Sequence, residues 1–435
     1  MKAKTIFSIL TLLSVTITKA QWATESSGFT TVNRGINSIC AVNNNVVWAT
    51  AYDTSANPVS PVNEFTRTTN GGATWTPGSV TGANTMDISS VWAVNKDTAW
   101  ISMLDNTNGG GAVYHTNDGG TTWAQQTTAT FAAPGGSTSF VHFFDKNNGV
   151  CVGDSNTGYW EIYTTANGGT LWSRVAQANI PANLVLELGN QGVYSSVGNT
   201  IWFGTDHGRV YKSSNKGATW TVVASGLSTV TAIAFRDTSN GIITNDTLIY
   251  KTTNGGSTWS NVAFTGYPKL GWFSPLPGTS GGYMSTNFIG SAYTLNDGQT
   301  WTTVDSSIVH GAVTFLNSST GWSGGLNTSA TVGGMYKWTG APLEIKSNST
   351  YSSGTQLNVF PNPFNNQLTI NINPTNHSFG NFRLEILDVL GNQLITERLR
   401  ENNSVLNIDG LPKGIYFYKI FDSTVLIGSG RLIKE

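Results

Sequence analysis

The sequence predicts an all-β protein, a ring of four-stranded blades followed by a small β-sandwich, and three observations carry that expectation. An eight-residue unit recurs six times, with its closing tryptophans 48, 49, 48, 39 and 42 residues apart, close to one blade each. Stretches of alternating apolar and polar residues, the mark of half-buried strands, lie ahead of the copies. Charged residues make up only 11% of the 435-residue chain while Gly, Thr, Ser and Asn abound. That balance suits short strands and tight turns and disfavours helices.

At the start, Lys2 and Lys4 precede a largely apolar run from Ile6 to Ile17 that ends in Thr18-Lys19-Ala20. This is the layout of a secretory signal peptide over residues 1–20, too short in its apolar part to span a bilayer. Cleavage after Ala20 would leave Gln21 first. No later stretch is apolar enough to predict a transmembrane segment.

The repeated unit reads Thr or Ser, any residue, Asn or Asp, any, Gly, any, usually Thr, then Trp. Its third and last positions are Asn70 and Trp75, Asp118 and Trp123, Asn167 and Trp172, Asn215 and Trp220, Asn254 and Trp259, and Asn296 and Trp301. The hydroxyl and the Asn or Asp side chain suit bonds to backbone groups of a tight turn. Gly supplies a backbone angle other residues resist, and Trp serves as an apolar plug. Five of the six units carry Asn and not Asp at the third position, so a metal or acid–base role is excluded and a structural one expected.

These units resemble the Asp-box or BNR repeats of sialidases, xyloglucan-active glucanases and the photosystem II stability and assembly factor family. The resemblance spans roughly residues 35 to 340 and implies a β-propeller without implying one activity.

Blade by blade, the second is typical: Ile88 to Val94 and Thr98 to Met103 alternate around the turn Asn95-Lys96-Asp97. Tyr114, Tyr163, Tyr211 and Tyr250 mark the strand before four of the boxes. The same strand returns as Met335-Tyr336-Lys337-Trp338, giving a seventh blade that stops after three strands. Trp22 to Ser27 looks like Trp301 to Ser306, so the N-terminus is expected to supply the missing outer strand and close a seven-bladed propeller over residues 21–341.

Beyond a Ser- and Thr-rich linker, residues 342–355, the pattern changes. Pro361-Asn362-Pro363, the strand Ile386-Leu387-Asp388 leading to Gly391, the corner Leu411 to Tyr416 with Gly414, and a basic tail with Lys434 follow in order. Seven or so short strands predict an immunoglobulin-like β-sandwich over residues 356–435. The four elements resemble the type A sorting domain of type IX secretion. That resemblance implies passage across the outer membrane, with the secretion machinery as partner and a Bacteroidetes-like source.

Several function classes fall away. Residues 21–341 carry 12 Lys and Arg against 16 Asp and Glu, and the remainder 8 of each, so the basic stripe a nucleic acid requires is missing. Cys40 and Cys151 fall in non-adjacent blades and are expected to be buried free thiols. His115, His142, His207 and His310 show no metal-ligand spacing, and no metal or cofactor is expected. Trp48, Trp100, Trp202 and Trp322 occupy equivalent blade positions and are read as packing residues.

One constellation remains. Asp53, Asp105, Asp154, Asp206 and Asp246 fall in corresponding loops between the second and third strands of five blades. They could form a ligand face, or serve only as turn formers. Sialidase chemistry is not supported, because Arg34 is followed by Gly35-Ile36 and no arginine triplet stands out. The chain is therefore expected to be a non-catalytic binding or scaffold module for an unidentified glycan or protein, in adhesion or polysaccharide capture. The alternative is a glycan-active hydrolase using loop carboxylates.

Overall fold

The computed structural model describes residues 21–55, 61–131, 135–154, 158–329, 331–340, 356–373, 382–388, 392–423 and 425–434. The signal-peptide reading of residues 1–20, the linker at 342–355 and Gly391 of the sorting motif lie outside them. The chain divides into two compact units, Met1–Glu344 and Ile345–Glu435.

Five four-stranded antiparallel sheets and one eight-stranded sheet, the latter divided below into blades 1 and 7, make up the described part of the first unit. Blade 1 runs outward from Arg34–Ala41 through Val47–Asp53 and Glu64–Thr68 to Thr76–Ser79. Blades 2 to 6 repeat that order, with innermost strands Asp87–Ala93, Thr138–Phe143, Gly189–Val197, Ala232–Phe235 and Trp272–Pro275. Blade 7 consists of Val313–Asn317, Thr320–Ser329 and Val332–Trp338, completed by Trp22–Ser26 from the far end of the sequence. Trp22 pairs with Trp338 and Ser26 with Gly334, and a single pair, Gly35 with Leu326, joins blade 7 to blade 1. Each innermost strand packs on the next, and the last packs on the first, so the ring is closed.

Why the ring holds is visible in two repeated contacts. A serine on one innermost strand accepts the backbone N–H of the next: Val91 donates to Ser38, Val141 to Ser90, Phe235 to Ser195 and Phe315 to Ser274. Farther out, the tryptophan of the second strand crosses to the following blade. Trp48 Nε1 donates to the Asn95 carbonyl at 3.1 Å, Trp100 to Gly168 at 3.2 Å and Trp202 to Gly255 at 3.0 Å. Arg67, Lys212 and Lys337 lie over Trp48, Trp202 and Trp322, adding cation–π attraction at the blade seams.

In the C-terminal unit, Gln356–Phe360, Gln367–Asn373 and Asn403–Asn407 form one sheet. Gln393–Leu399, Phe382–Leu387, Gly414–Asp422 and Val425–Lys434 form the other. Leu368, Ile370, Leu384, Ile386, Ile420 and Leu432 are among the residues buried in its core. Asn362 and Lys434 of the sorting motif tie the last strand to its neighbours, and Tyr416 closes its own corner. The Asn362 side chain donates to the Arg431 carbonyl and accepts the Ile433 N–H at 2.8 and 2.9 Å. Tyr416 Oη donates to Pro412 O at 2.7 Å, and the buried Lys434 ammonium donates to the Ile408 carbonyl at 2.5 Å. Gly414 pairs with Lys434 across the sheet, while Pro361 and Pro363 flank the Asn362 clamp in the exposed segment before Phe364. No helix among the described residues is long and apolar enough to cross a membrane.

Candidate functional site

Antiparallel order places the hairpins between second and third strands, together with the blade-to-blade connections, at one end of the ring. The Asp-box hairpins lie at the other. In the boxes the hydrogen-bond pattern repeats almost unchanged. Gly72 N–H donates to Thr68 Oγ1 and Thr74 N–H to Asn70 Oδ1, both at 2.9 Å. Thr122, Leu171, Thr219, Thr258 and Thr300 donate in the same way to Asp118, Asn167, Asn215, Asn254 and Asn296. The Thr122 hydroxyl and amide hold the Asp118 carboxyl down to about 2. Trp75, Trp123, Trp172, Trp220 and Trp301 are buried plugs beneath these turns, and Trp259 is the partly buried one, packed against Phe235. The box end is also where most cations sit, among them Lys96, Lys216 and Arg236, paired with Asp97, Asp145 and Asp297.

At the loop end the five aspartates make different contacts. Asp53 accepts the Ser55 N–H at 2.8 Å and pairs with Arg34 at 3.4 Å; the Ser55 bond is the main cause holding its carboxyl below the usual range. Asp105 accepts the N–H groups of Thr107 and Asn108, both at 2.9 Å, and Asn108 is the first cause of its lowered value. These two make turn contacts. Asp154 and Asp206, from neighbouring blades, reach one loop: Gly189 N–H donates to Asp154 at 2.7 Å and Leu188 N–H to Asp206 at 2.8 Å. Burial pushes the Asp154 carboxyl up to about 7, against the Gly189 bond and with the Asp206 charge adding to the rise. Asp246 accepts the Thr231 hydroxyl at 2.7 Å and stands exposed.

The loop held by Asp154 and Asp206 is an apolar finger. Leu184, Val185, Leu186 and Leu188 all project into solvent, Val185 at 86% and Leu186 at 83% exposure. Between them Glu187 turns inward to 1% exposure. It accepts the Leu184 N–H at 2.8 Å and the Thr205 hydroxyl at 2.7 Å and faces Arg209 at 3.4 Å. Sequence reasoning missed this loop. Its signal was an apolar run interrupted by a single glutamate, in a stretch between a box and the next strand.

Two hollows open at this end of the ring, the larger one reached by Gln191, three residues past the finger. One hollow of about 520 Å³ is lined by Gln191, Thr231, Asp246, Leu270, Trp272 and Ile289. A second, of about 370 Å³, lies among Ile36, Tyr52, Val309, Gly325 and Leu326. Both share Phe288, which is 55% exposed at the hairpin tip of blade 6. Asn190 Nδ2 donates to Val230 O at 2.6 Å and ties the base of the finger to the wall carrying Thr231.

None of the four described histidines lines either hollow. His310 is fully buried, with Nδ1 2.5 Å from Ser323 Oγ and Nε2 3.1 Å from Asp305. Ser291 also donates to Asp305 and receives the Trp22 indole N–H at 2.9 Å. This Ser-His-Asp chain has its histidine and serine buried and its aspartate partly exposed, and it pins the closing strand. His142, its ring 4.1 Å from Trp92, is packed among aromatic rings, and burial holds it down at about 3. His115 stacks on Trp100, and His207 Nδ1 lies 2.7 Å from Asp206. Among the described residues no group of three or more His, Cys, Asp or Glu could hold a metal ion. Cys40 and Cys151 are free and buried.

Comparison with known proteins separates the two units. Residues 358–435 match the secretion system C-terminal sorting domain family. That domain sends the chain through type IX secretion to the cell surface or the extracellular space. No curated protein matches the sequence. Among solved structures, YCF48 bound to D1 peptide is similar with a TM-score of 0.52 at 15% identity, over 75% of this chain and 99% of that one. The extracellular domain of BT4673 from B. thetaiotaomicron gives 0.50 at 11% identity, over 96% of this chain and 58% of that one. An ancestral GH74 enzyme gives 0.49 at 14% identity, over 94% and 63%. At such identities the likeness is one of fold, an all-β propeller.

Proposed function

We propose that the propeller is a non-catalytic binding module displayed outside the cell, and that its loop face is the binding surface. The observation that carries this reading is the pair of hollows that meet at Phe288, at the same end of the ring as a finger whose leucines and valine are held out in solvent. Contiguous exposed apolar surface on an exported protein marks an interaction site. Three buried or half-buried carboxylates fix the finger in place, which lowers the ordering cost of binding.

A second reading, a glycan-active hydrolase, draws on one specific observation. Asp154, with its carboxyl pushed up to about 7, lies within electrostatic reach of Asp206, and an acid poised near neutrality is what glycosidic cleavage requires. Against it, Asp154 is buried and each carboxylate is committed to a backbone amide. One experiment separates the two: a panel of glycans and matrix proteins tested for binding to the mature protein, with hydrolysis followed in the same samples. Saturable binding without turnover supports the module. Turnover abolished by Asp154→Asn supports the enzyme and overturns the module.

A further inference from the structure

From the charges and shape of the loop face, we infer that the two hollows take an extended polypeptide segment whose apolar side chains alternate with basic ones. The inference rests on the loop face being the binding face and names its ligand.

Shape argues first. The smaller hollow is walled by Ile36, Val309, Leu326 and the backbone at Gly35, Gly311 and Gly325, with Tyr52 and Thr54 its only polar side chains. A sugar placed there would leave hydroxyls unpaired, whereas an aliphatic side chain loses nothing by entering. The two hollows meet at Phe288. An extended chain turns residues i and i+2 to one side, about 7 Å apart, so successive apolar side chains can straddle such a ridge.

Charge argues second. The cations near this face are already engaged or withdrawn. Arg34 pairs with Asp53 and Glu64, Arg209 faces Glu187, and Lys269 is only 8% exposed. Among the described residues no Lys or Arg pairs with Asp206 or Asp246. Lysines and arginines cluster instead at the box end. The face therefore presents one apolar hollow and one of mixed lining under a negative field, which favours a cationic ligand and disfavours an acidic one. Asp246 stands on the wall of the larger hollow, within reach of whatever fills it.

The test uses the mature full-length protein and fluorescence anisotropy with three labelled eight-residue peptides: alternating Leu and Lys, alternating Leu and Glu, and alternating Ser and Lys. A neutral β-glucan oligosaccharide serves as competitor. The Leu-Lys peptide should bind, and the other two should bind at least about tenfold more weakly. Phe288→Ala, a change at an exposed tip, should weaken binding about tenfold. Asp246→Asn, which retains the left-handed backbone at φ 69°, should weaken it about threefold and flatten its salt dependence. Asp105→Asn should change nothing, and thermal melts should show every variant folded. Equal binding of the Leu-Lys and Leu-Glu peptides, or full binding by Phe288→Ala, overturns the inference. Glucan binding that Phe288→Ala abolishes, without peptide binding, overturns it while keeping the loop face as the binding face. A concentration-dependent dimer lost in Phe288→Ala assigns the hollows to a second copy and also overturns it. If no ligand responds to either substitution in the hollows, the loop-face reading fails as well.

Discussion

Asp154 and Asp206 illustrate how a residue type visible in the sequence acquires its role only from tertiary contacts. Aspartate after a strand reads first as a turn former, with a ligand role left open, and Asp53 and Asp105 make turn contacts here. Asp154 and Asp206 instead accept amides from a loop 35 and 18 residues away in sequence, a partnership no local pattern encodes. Its energetic signature is a pH dependence. The folded value of Asp154, about 7, lies above the unfolded value, so its contribution to stability is full below about pH 4 and lost as the pH rises through 7. His142, held at about 3, acts in the opposite sense: its contribution is full above about pH 6.5 and lost as the pH falls. In the parent the two offset each other. Asp154→Asn keeps an acceptor for Gly189 and removes the titration, so the variant should gain on the order of 3 kcal/mol relative to the parent between pH 4 and 7. Thermal melts at pH 4, 5.5 and 7 check this, and parallel curves for variant and parent would refute it.

Elements were far more legible. The box is a local device, closed by bonds four residues apart, and its six copies could be read from spacing alone. Asn and Asp are interchangeable at its third position because the neighbouring hydroxyl rotates. Asn254 Nδ2 donates to Thr258 Oγ1 at 2.8 Å, whereas the Thr122 hydroxyl donates to Asp118 at 2.6 Å. Asn254→Asp should therefore change stability by less than about 0.5 kcal/mol, while Asn254→Ala, which strands the Thr258 and Thr252 donors, should cost roughly 1–2 kcal/mol. Urea unfolding of the two variants decides it, and equal losses would contradict the account. Less legible was the hairpin tip at Phe288 and Ile289, 55% and 61% exposed. Apolar residues in a short turn read as the end of a buried strand, because exposure depends on neighbouring blades that the local sequence does not specify.

At the scale of the whole molecule, the closing strand and the C-terminal unit set how the protein is completed and delivered. The likeness of Trp22–Ser27 to the segment after the sixth box pointed to the strand that pairs with Val332–Trp338. Trp22 is buried against Trp338 and Phe315, at 5.1 and 5.9 Å between rings. Trp22→Ala should destabilise the propeller by roughly 3–5 kcal/mol, and an unchanged melting temperature would make the N-terminal strand dispensable. Truncation after Thr355 should leave the propeller in the periplasm with its melting behaviour intact, since the sorting domain has its own core; truncated protein reaching the medium at parental levels would refute this. The account's central claim is that the loop face is where this exported propeller meets its ligand. Hydrogen exchange of the mature protein, with and without any ligand that the binding panel identifies, tests that most directly. The account predicts slowed exchange at residues 184–191, 286–289 and 309–311, with the box hairpins unchanged. Protection confined to the box hairpins would contradict it.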